Sequence, residues 1–280
     1  MIQEAINNLI ARAFSEDIGD GDHSSLSCIP HSANGKARLI IKDKGVIAGL
    51  DVSALVFKYA DPDIDIKFYM KDGDRVKYGD IGFEVAGKQQ SLLKAERLVL
   101  NILQRMSGIA TETARYVNEI KDYRTKILDT RKTTPGFRVL EKEAVRLGGG
   151  ENHRMGLYDM IMLKDNHIDF AGGIGEAISR ARKYIERTGK NLKIEIEARS
   201  MEDIENIISI GGVDRIMLDN FSPAETLKAV EFIDHRYETE SSGGITYKTL
   251  RDYAACGVDY ISVGALTHQI KSLDISLKAI

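Results

Sequence analysis

The stretch Leu192–Ala198 reads LKIEIEA. In an extended chain successive side chains point to opposite faces, so Lys193, Glu195 and Glu197 share one face while Ile194 and Ile196 share the other. A strand of a doubly wound sheet is covered by helices on both sides and is usually apolar throughout. A polar face backed by an apolar one instead fits a barrel strand, with its inner side leading to a ligand mouth. The same mixture recurs nearby: Arg215, Met217 and Asp219 alternate in RIMLD (215–219), and Met160, Met162 and Lys164 alternate in YDMIMLK (158–164).

Working outward, strand-like runs fall at Lys126–Thr130, Tyr158–Lys164, Leu192–Ala198, Arg215–Asp219, Tyr237–Glu240 and Tyr260–Gly264. Helical runs at Pro135–Leu147, Gly175–Thr188, Met201–Ile210, Ser222–His235 and Thr246–Cys256 separate them. Regular β–α alternation without hairpin signals implies a parallel sheet with right-handed crossovers. Alternation alone allows an open sheet or a barrel; the side-chain parity favours the barrel. In such barrels the site lies at the C-terminal strand ends, where Lys132, Lys164, Glu197, Asp219 and the loops from Ser241 and Gly264 fall.

The first third of the chain has a different pattern. Ile2–Phe14 reads as an amphipathic helix, followed by an acidic loop, Glu16–Asp22, that suits either capping and turns or a cation. Short strands are expected at Ala37–Ile41, Val46–Ala48, Asp65–Met70 and Ile81–Val85, with a turn or two of helix at Ser53–Tyr59. A long helix should run from Gln89 to about Ile120, with Leu92, Leu93, Leu98, Val99, Ile102, Leu103 and Met106 in its apolar stripe and an interruption at Gly108. The expected architecture is therefore α/β: an N-terminal α+β domain over residues 1–110 and an open, incomplete (β/α) barrel over 111–280. A terminal helix at about 267–280 is expected to pack back on the first domain.

Composition narrows the classes. The net charge of −3 over 280 residues gives no basis for nonspecific binding to nucleic acid or membrane. No signal peptide is apparent and no apolar run approaches the length of a membrane span. Two cysteines without CxxC spacing, Cys28 and Cys256, fit a reducing, cytoplasmic setting.

The chemistry-bearing residues concentrate in Leu128–Ile168, which holds Arg131, Lys132, His153, Arg154, Lys164 and His167 around the break Gly148-Gly149-Gly150. Thr133-Thr134-Pro135 reads as a helix start capped by Thr134, placing Arg131 and Lys132 where an anion would approach the helix's positive end. A salt-bridge network with Glu141, Glu143, Glu151 and Asp165 is the structural alternative. Glu197 and Asp219, ending neighbouring strands, suit Mg2+ held through water or ribose hydroxyls, or neutralisation of Lys132, Lys164 or Arg215. Glu195, one pleat deeper, suits a structural role. Ser242-Gly243-Gly244 and Gly264-Ala265 to His268 resemble phosphate-binding loops at adjacent strand ends. Gly172-Gly173-Ile174-Gly175 lacks the rest of a dinucleotide fingerprint, and His153 and His167 lack zinc-type spacing.

Read together, these pieces resemble the quinolinate phosphoribosyltransferases. The matching segments are NILQRMSGIAT (101–111), TRKTTPG (130–136), GGGENHR (148–154), KDNH (164–167), EIE (195–197), LDN (218–220), SGG (242–244) and GALTH (264–268), spanning nearly the whole chain in order. The resemblance implies transfer of phosphoribosyl from phosphoribosyl pyrophosphate to quinolinate, with release of CO2 and pyrophosphate, on an α/β N-terminal domain joined to an open barrel. It implies that Arg131, His153, Arg154 and Lys164 bind the two quinolinate carboxylates, completed by an Arg105 donated across a homodimer, or a hexamer built from it. Lys132 would meet the pyrophosphate, Glu197 and Asp219 the ribose and Mg2+, and Ser242, Gly243, Gly244, Gly264, Ala265 and His268 the 5′-phosphate. A related pyrophosphorylase-like enzyme with another acceptor is the rival within the class. From a different class, Lys71–Val85 resembles half of a lipoyl or biotinyl carrier domain, but without a clear modifiable lysine at a hairpin tip it reads as a structural β-module.

Overall fold

The computed structural model describes residues 2–280, which fall into two compact units. The first comprises the chain up to Arg115 together with Thr133–Gly149 and Leu266–Ile280; the second comprises Tyr116–Lys132 and Gly150–Ala265.

In chain order the first unit begins with α1 (Ile2–Ile18), α2 (His23–Cys28), β1 (Asn34–Ile41), β2 (Gly45–Val46), α3 (Leu50–Ala60), β3 (Asp65–Phe68), β4 (Arg75–Val76), β5 (Ile81–Lys88) and α4 (Gln89–Glu119), whose last turn belongs to the second unit. The acidic loop is used for capping, as Asp22 accepts the Ser25 N–H at the start of α2. Asp72, in the turn before β4, caps α3 from a distance: its carboxylate accepts the N–H groups of Gly49, Leu50 and Asp51. The Asp-Gly-Asp motif that gave Lys71–Val85 its carrier-like look is thus a helix-capping turn.

The long helix is continuous, correcting the expected break at Gly108. There the backbone of Lys271 and Ser272 passes so close that a Cβ would meet the Lys271 carbonyl oxygen, with Ser272 Cα at 3.1 Å. Glycine is present for close approach rather than to end the helix. Val99, Ile102, Leu103 and Met106 are buried as expected, whereas Leu93 points outward.

The chain end is a second correction. Residues 267–280 do not form a helix: a short α11 (Ala265–His268) is followed by β12 (Ile275–Ala279). β12 pairs antiparallel with β1 and completes a four-stranded sheet in the order β12-β1-β5-β3. The alternation of buried Ile275 and Leu277 with less buried Ser276 is a strand pattern, and it supplies the edge partner that β1 needs.

The second unit carries β6 (Lys126–Leu128), β7 (Ile161–Leu163), α6 (Asp165–Ala171), α7 (Ile174–Thr188), β8 (Ile194–Ala198), α8 (Met201–Ile210), β9 (Arg215–Asp219), α9 (Pro223–Ile233), β10 (Glu238–Ser242), α10 (Leu250–Ala255) and β11 (Tyr260–Ser262); α5 (Arg138–Leu147), between β6 and β7 in sequence, belongs to the first unit. Every strand pairing is parallel and the spatial order is β6-β11-β10-β9-β8-β7. Strands 7 to 11 are consecutive in space, and β6 closes round next to β11. That is barrel order, opened between β6 and β7, where an isolated parallel bridge from Leu128 to Glu151 stands in for a strand. The register sets Glu195 beside Arg215 and Arg215 beside Glu238, then Glu197 beside Met217 and Met217 beside Glu240, then Asp219 beside Ser242. Ile194, Ile196 and Ala198 are buried on the opposite side of the strand, as their parity requires.

Candidate active site

Glu197, buried one residue before the end of strand β8, has a carboxylate that accepts from Lys164 Nζ and, at 3.2 Å, from the Asp165 N–H at the start of α6. Asp219, half-buried at the end of β9, accepts from Asn220 Nδ2 at 2.8 Å. Its carboxyl is raised above the usual range by burial first and by the Glu197 charge second. Asp219, whose charge Glu197 disfavours, and Glu197 beside Lys164 form an oxygen-donor set suited to a hard cation.

The loop that fills the barrel gap is fastened to β6 by Asp129. This fully buried carboxylate accepts the His153 N–H at 2.9 Å and Asn152 Nδ2 at 2.5 Å. Arg154 follows with only 8% of its surface exposed, its Nη1 donating to the Met160 carbonyl at 3.2 Å. Its guanidinium is pushed below its usual range by burial and then by the charge of Arg131, with Glu195, Asp159 and Glu197 opposing. Arg131 lies near enough to act on Arg154, and two neighbouring guanidiniums are of the kind that binds carboxylates. His153, Arg154 and Asp159 line a cavity of about 360 Å3 with Asn152, Met155 and Met160.

Below these residues lies a buried polar floor. His153 Nε2 sits 3.0 Å from Glu195 and 3.5 Å from Glu240, both fully buried. Arg215 donates from Nη1 to Glu240 at 2.9 Å and from Nη2 to Glu238 at 3.0 Å, with its guanidinium 4.0 Å from the centre of the Tyr260 ring. Burial pushes the Glu195 carboxyl up to about 6, against Arg215, and pushes Glu240 up to about 7, reinforced by Glu195.

Family models for the quinolinate phosphoribosyl transferase N-terminal and C-terminal domains match residues 22–107 and 109–278 respectively. The chain belongs to the quinolinate phosphoribosyltransferase family. A probable nicotinate-nucleotide pyrophosphorylase (carboxylating) of Bacillus subtilis is 43% identical over 97% of this chain and 92% of its own length. A chloroplastic rice relative of the same name is 42% identical over 98% of this chain and 77% of its own length. NadC from Streptococcus pyogenes superposes with a TM-score of 0.92 at 42% identity, covering 98% of this chain and 97% of that one. Human nicotinic acid phosphoribosyltransferase, at 11% identity and a TM-score of 0.64, shares the fold alone.

Within this family frame, Arg131, Lys132, His153, Arg154, Lys164, Glu197, Asp219, Ser242, Gly243, Gly244, Gly264 and Ala265 all fall in the second unit, whereas Arg105 and His268 fall in the first. Arg105 is held by the fully buried Glu141, donating from Nε and Nη2 at 3.1 and 2.9 Å, and from Nη2 to the Thr267 carbonyl at 2.5 Å.

Two expectations change. Thr134 does not cap a helix: α5 begins at Arg138, and Thr134 instead donates its N–H and hydroxyl to Glu141, so no helix terminus backs Arg131 and Lys132 directly. β10 runs on to Ser242, and α10 begins only at Leu250, so the Ser242–Gly244 turn does not open onto a helix. Gly243 and Gly244 nonetheless adopt φ of 94° and 62°, and a Cβ on Gly243 would collide with Asn220, so this turn admits only glycine comfortably. His153 is buried, with its ring beside Glu195 and Glu240. Asp129 and Glu240 escaped the sequence reading because a lone acidic residue in or beside a short strand carries no periodic signal; only their burial marks them, and the exposed Asn152 is marked only by its hydrogen bond to Asp129.

Proposed function

We infer that the chain transfers phosphoribosyl from phosphoribosyl pyrophosphate to quinolinate, with loss of CO2, giving nicotinate mononucleotide and pyrophosphate for NAD synthesis. Family membership carries the reaction, and the nearness of Arg131 to Arg154, which lines a cavity with His153, supports the acceptor end. Quinolinate brings two carboxylates, and Arg131, Arg154 and Lys164 are the cations that receive them, with Lys132 directed at the leaving pyrophosphate.

The quinolinate ring nitrogen attacks ribose C1 as the C1–pyrophosphate bond breaks. Positive charge grows on the ribose and negative charge on the leaving group. Glu197 and Asp219 face the former and Lys132 the latter, so preorganised charge rather than a general base lowers the barrier. The C2 carboxylate then leaves as CO2, its electron pair falling onto the carbon beside the cationic ring nitrogen, and that carbon takes up a proton from water to give nicotinate mononucleotide. The Glu197 and Asp219 oxygens suit Mg2+, directly or through water; bound there, the ion would supply charge neutralisation for the pyrophosphate. The last two loops, with Ser242, Gly243, Gly244, Gly264 and Ala265, serve the 5′-phosphate, and His268 is assigned there by resemblance.

Purified protein should release equimolar CO2 and pyrophosphate from quinolinate and phosphoribosyl pyrophosphate, only with Mg2+ present. Turnover of nicotinate without CO2 release would replace this reading by that of a related enzyme with another acceptor. We further assign Arg105 to a site shared between two copies, in a homodimer or a hexamer built from it. Arg105→Ala and Lys132→Ala proteins should each be inactive and regain up to about a quarter of wild-type activity when refolded together, the statistical share of intact sites. Soluble, mixed assemblies without recovery would remove the shared site. Cys28 and Cys256 are both free thiols, in keeping with a cytoplasmic location, and no described helix is long and apolar enough to cross a membrane.

A further inference from the structure

We propose that Glu195 and Glu240 are positioning residues that aim Arg154 at the acceptor, acting through His153. The inference rests on the quinolinate reading and assigns His153 a supporting place rather than direct contact with substrate.

The argument starts at the imidazole. The Arg154 backbone N–H donates to His153 Nδ1 at 2.6 Å, so in the neutral ring the hydrogen sits on Nε2. That Nε2–H faces Glu195 at 3.0 Å and Glu240 at 3.5 Å inside the barrel. Both ring nitrogens therefore face groups of the protein itself. The backbone on one side is fixed by Asp129, which accepts the His153 N–H. Asp129 fixes the main chain from which the Arg154 side chain departs, while Glu195 and Glu240 face the far edge of the imidazole at ion-pair distance rather than through a hydrogen bond to Nε2. Arg215 holds Glu240 in turn and stacks on Tyr260, tying the floor to β9, β10 and β11.

The same three side chains, His153, Glu195 and Glu240, lie close enough to suggest a metal site. The hydrogen bonding argues otherwise. Nε2 carries the hydrogen that a metal would have to displace, and Glu240 already receives a guanidinium. A carboxylate floor set close to one nitrogen of a histidine whose other nitrogen accepts a backbone amide resembles the outer supports of metal-binding histidines, used here for a cation of the protein itself.

The test separates aim from fold. Glu195→Leu fills similar volume without a polar group, whereas Glu195→Gln keeps an oxygen facing the Nε2 edge of the ring. In steady-state assays with quinolinate and phosphoribosyl pyrophosphate, Glu195→Leu should raise the KM for quinolinate at least tenfold while the KM for phosphoribosyl pyrophosphate stays within about twofold; Glu195→Gln should recover most of the difference. A folded Leu variant with an unchanged quinolinate KM, or with both KM values raised alike, overturns the proposal. If Glu195→Leu does not fold, histidine 15N spectra of wild-type protein decide, with the His153 signal assigned by its loss in His153→Asn. A ring carrying its hydrogen on Nε2, unmoved by saturating quinolinate, is the expected result. A hydrogen on Nδ1, or a shift of the ring nitrogens on adding quinolinate, contradicts it. Wild-type protein that neither binds nor turns over quinolinate would instead fail the functional reading itself.

Discussion

Arg215→Met should lower stability by about 3–5 kcal/mol at pH 8, and by much less near pH 5. Arg215 is the cation of the barrel floor, 8% exposed, and it is paired with Glu240 and Glu238. Methionine keeps most of the stem but leaves the fully buried Glu240 facing Glu195, His153 and the Tyr260 ring with no guanidinium. The pH dependence follows from Glu240. Its folded carboxyl stands at about 7, above an ordinary glutamate's value of 4.5, because burial penalises the charged form. A raised folded pKa means that the folded state binds more protons than the unfolded one, so this group's contribution falls as pH rises from about 4.5 through 7. Losing Arg215 raises that carboxyl further, so the difference between variant and wild type is small where Glu240 is protonated in both and grows as pH rises. Urea midpoints at pH 5 and pH 8 check this. An equal loss at both values would mean that Arg215 acts by packing on Tyr260 rather than by charge.

Arg154→Met should lower kcat/KM for quinolinate by about 10²–10³-fold, the usual cost of losing one preorganised donor in an active site. The loss should fall mainly on the KM for quinolinate, since the carboxylate is present in both ground and transition states, with the KM for phosphoribosyl pyrophosphate within about threefold. Arg154→Lys should recover only part, because an ammonium restores charge but not the planar two-donor geometry. A matching rise in both KM values would show that the residue shapes the whole barrel mouth instead. Arg154→Met also sets the ceiling for Glu195→Leu, which misaims the same guanidinium without removing it.

Much of the second unit was legible because its elements follow period. The parity of Lys193–Glu197 put Glu195 and Glu197 on one face, and the structure puts Glu195 beside Arg215 and leaves Ile194 and Ile196 buried. Glu197 and Asp219 stood out because each lies at the C-terminal end of a strand. The ends of elements were less legible. α5 starts at Arg138 because buried Glu141 takes both donors of Thr134, and no local pattern announces that. The last segment was misread as a helix because five residues are too few to display a strand's alternation without their partner β1.

By itself, the sequence determined the alternation of elements, the polar inner face of the barrel, the cationic segment and, through ordered motifs, the family. Those are properties of spacing along the chain. Only the tertiary structure decided that β6 lies next to β11, leaving the gap at β7 for the His153 loop, and that β12 returns to β1. It also decided which charges are buried against which: Lys164 against Glu197, Arg215 against Glu240, and His153 against Glu195. These pairings join residues tens of positions apart, and burial makes them matter. In water each group would be satisfied separately, whereas inside the barrel an unmatched charge carries a large desolvation cost, so the partners fix one another's place.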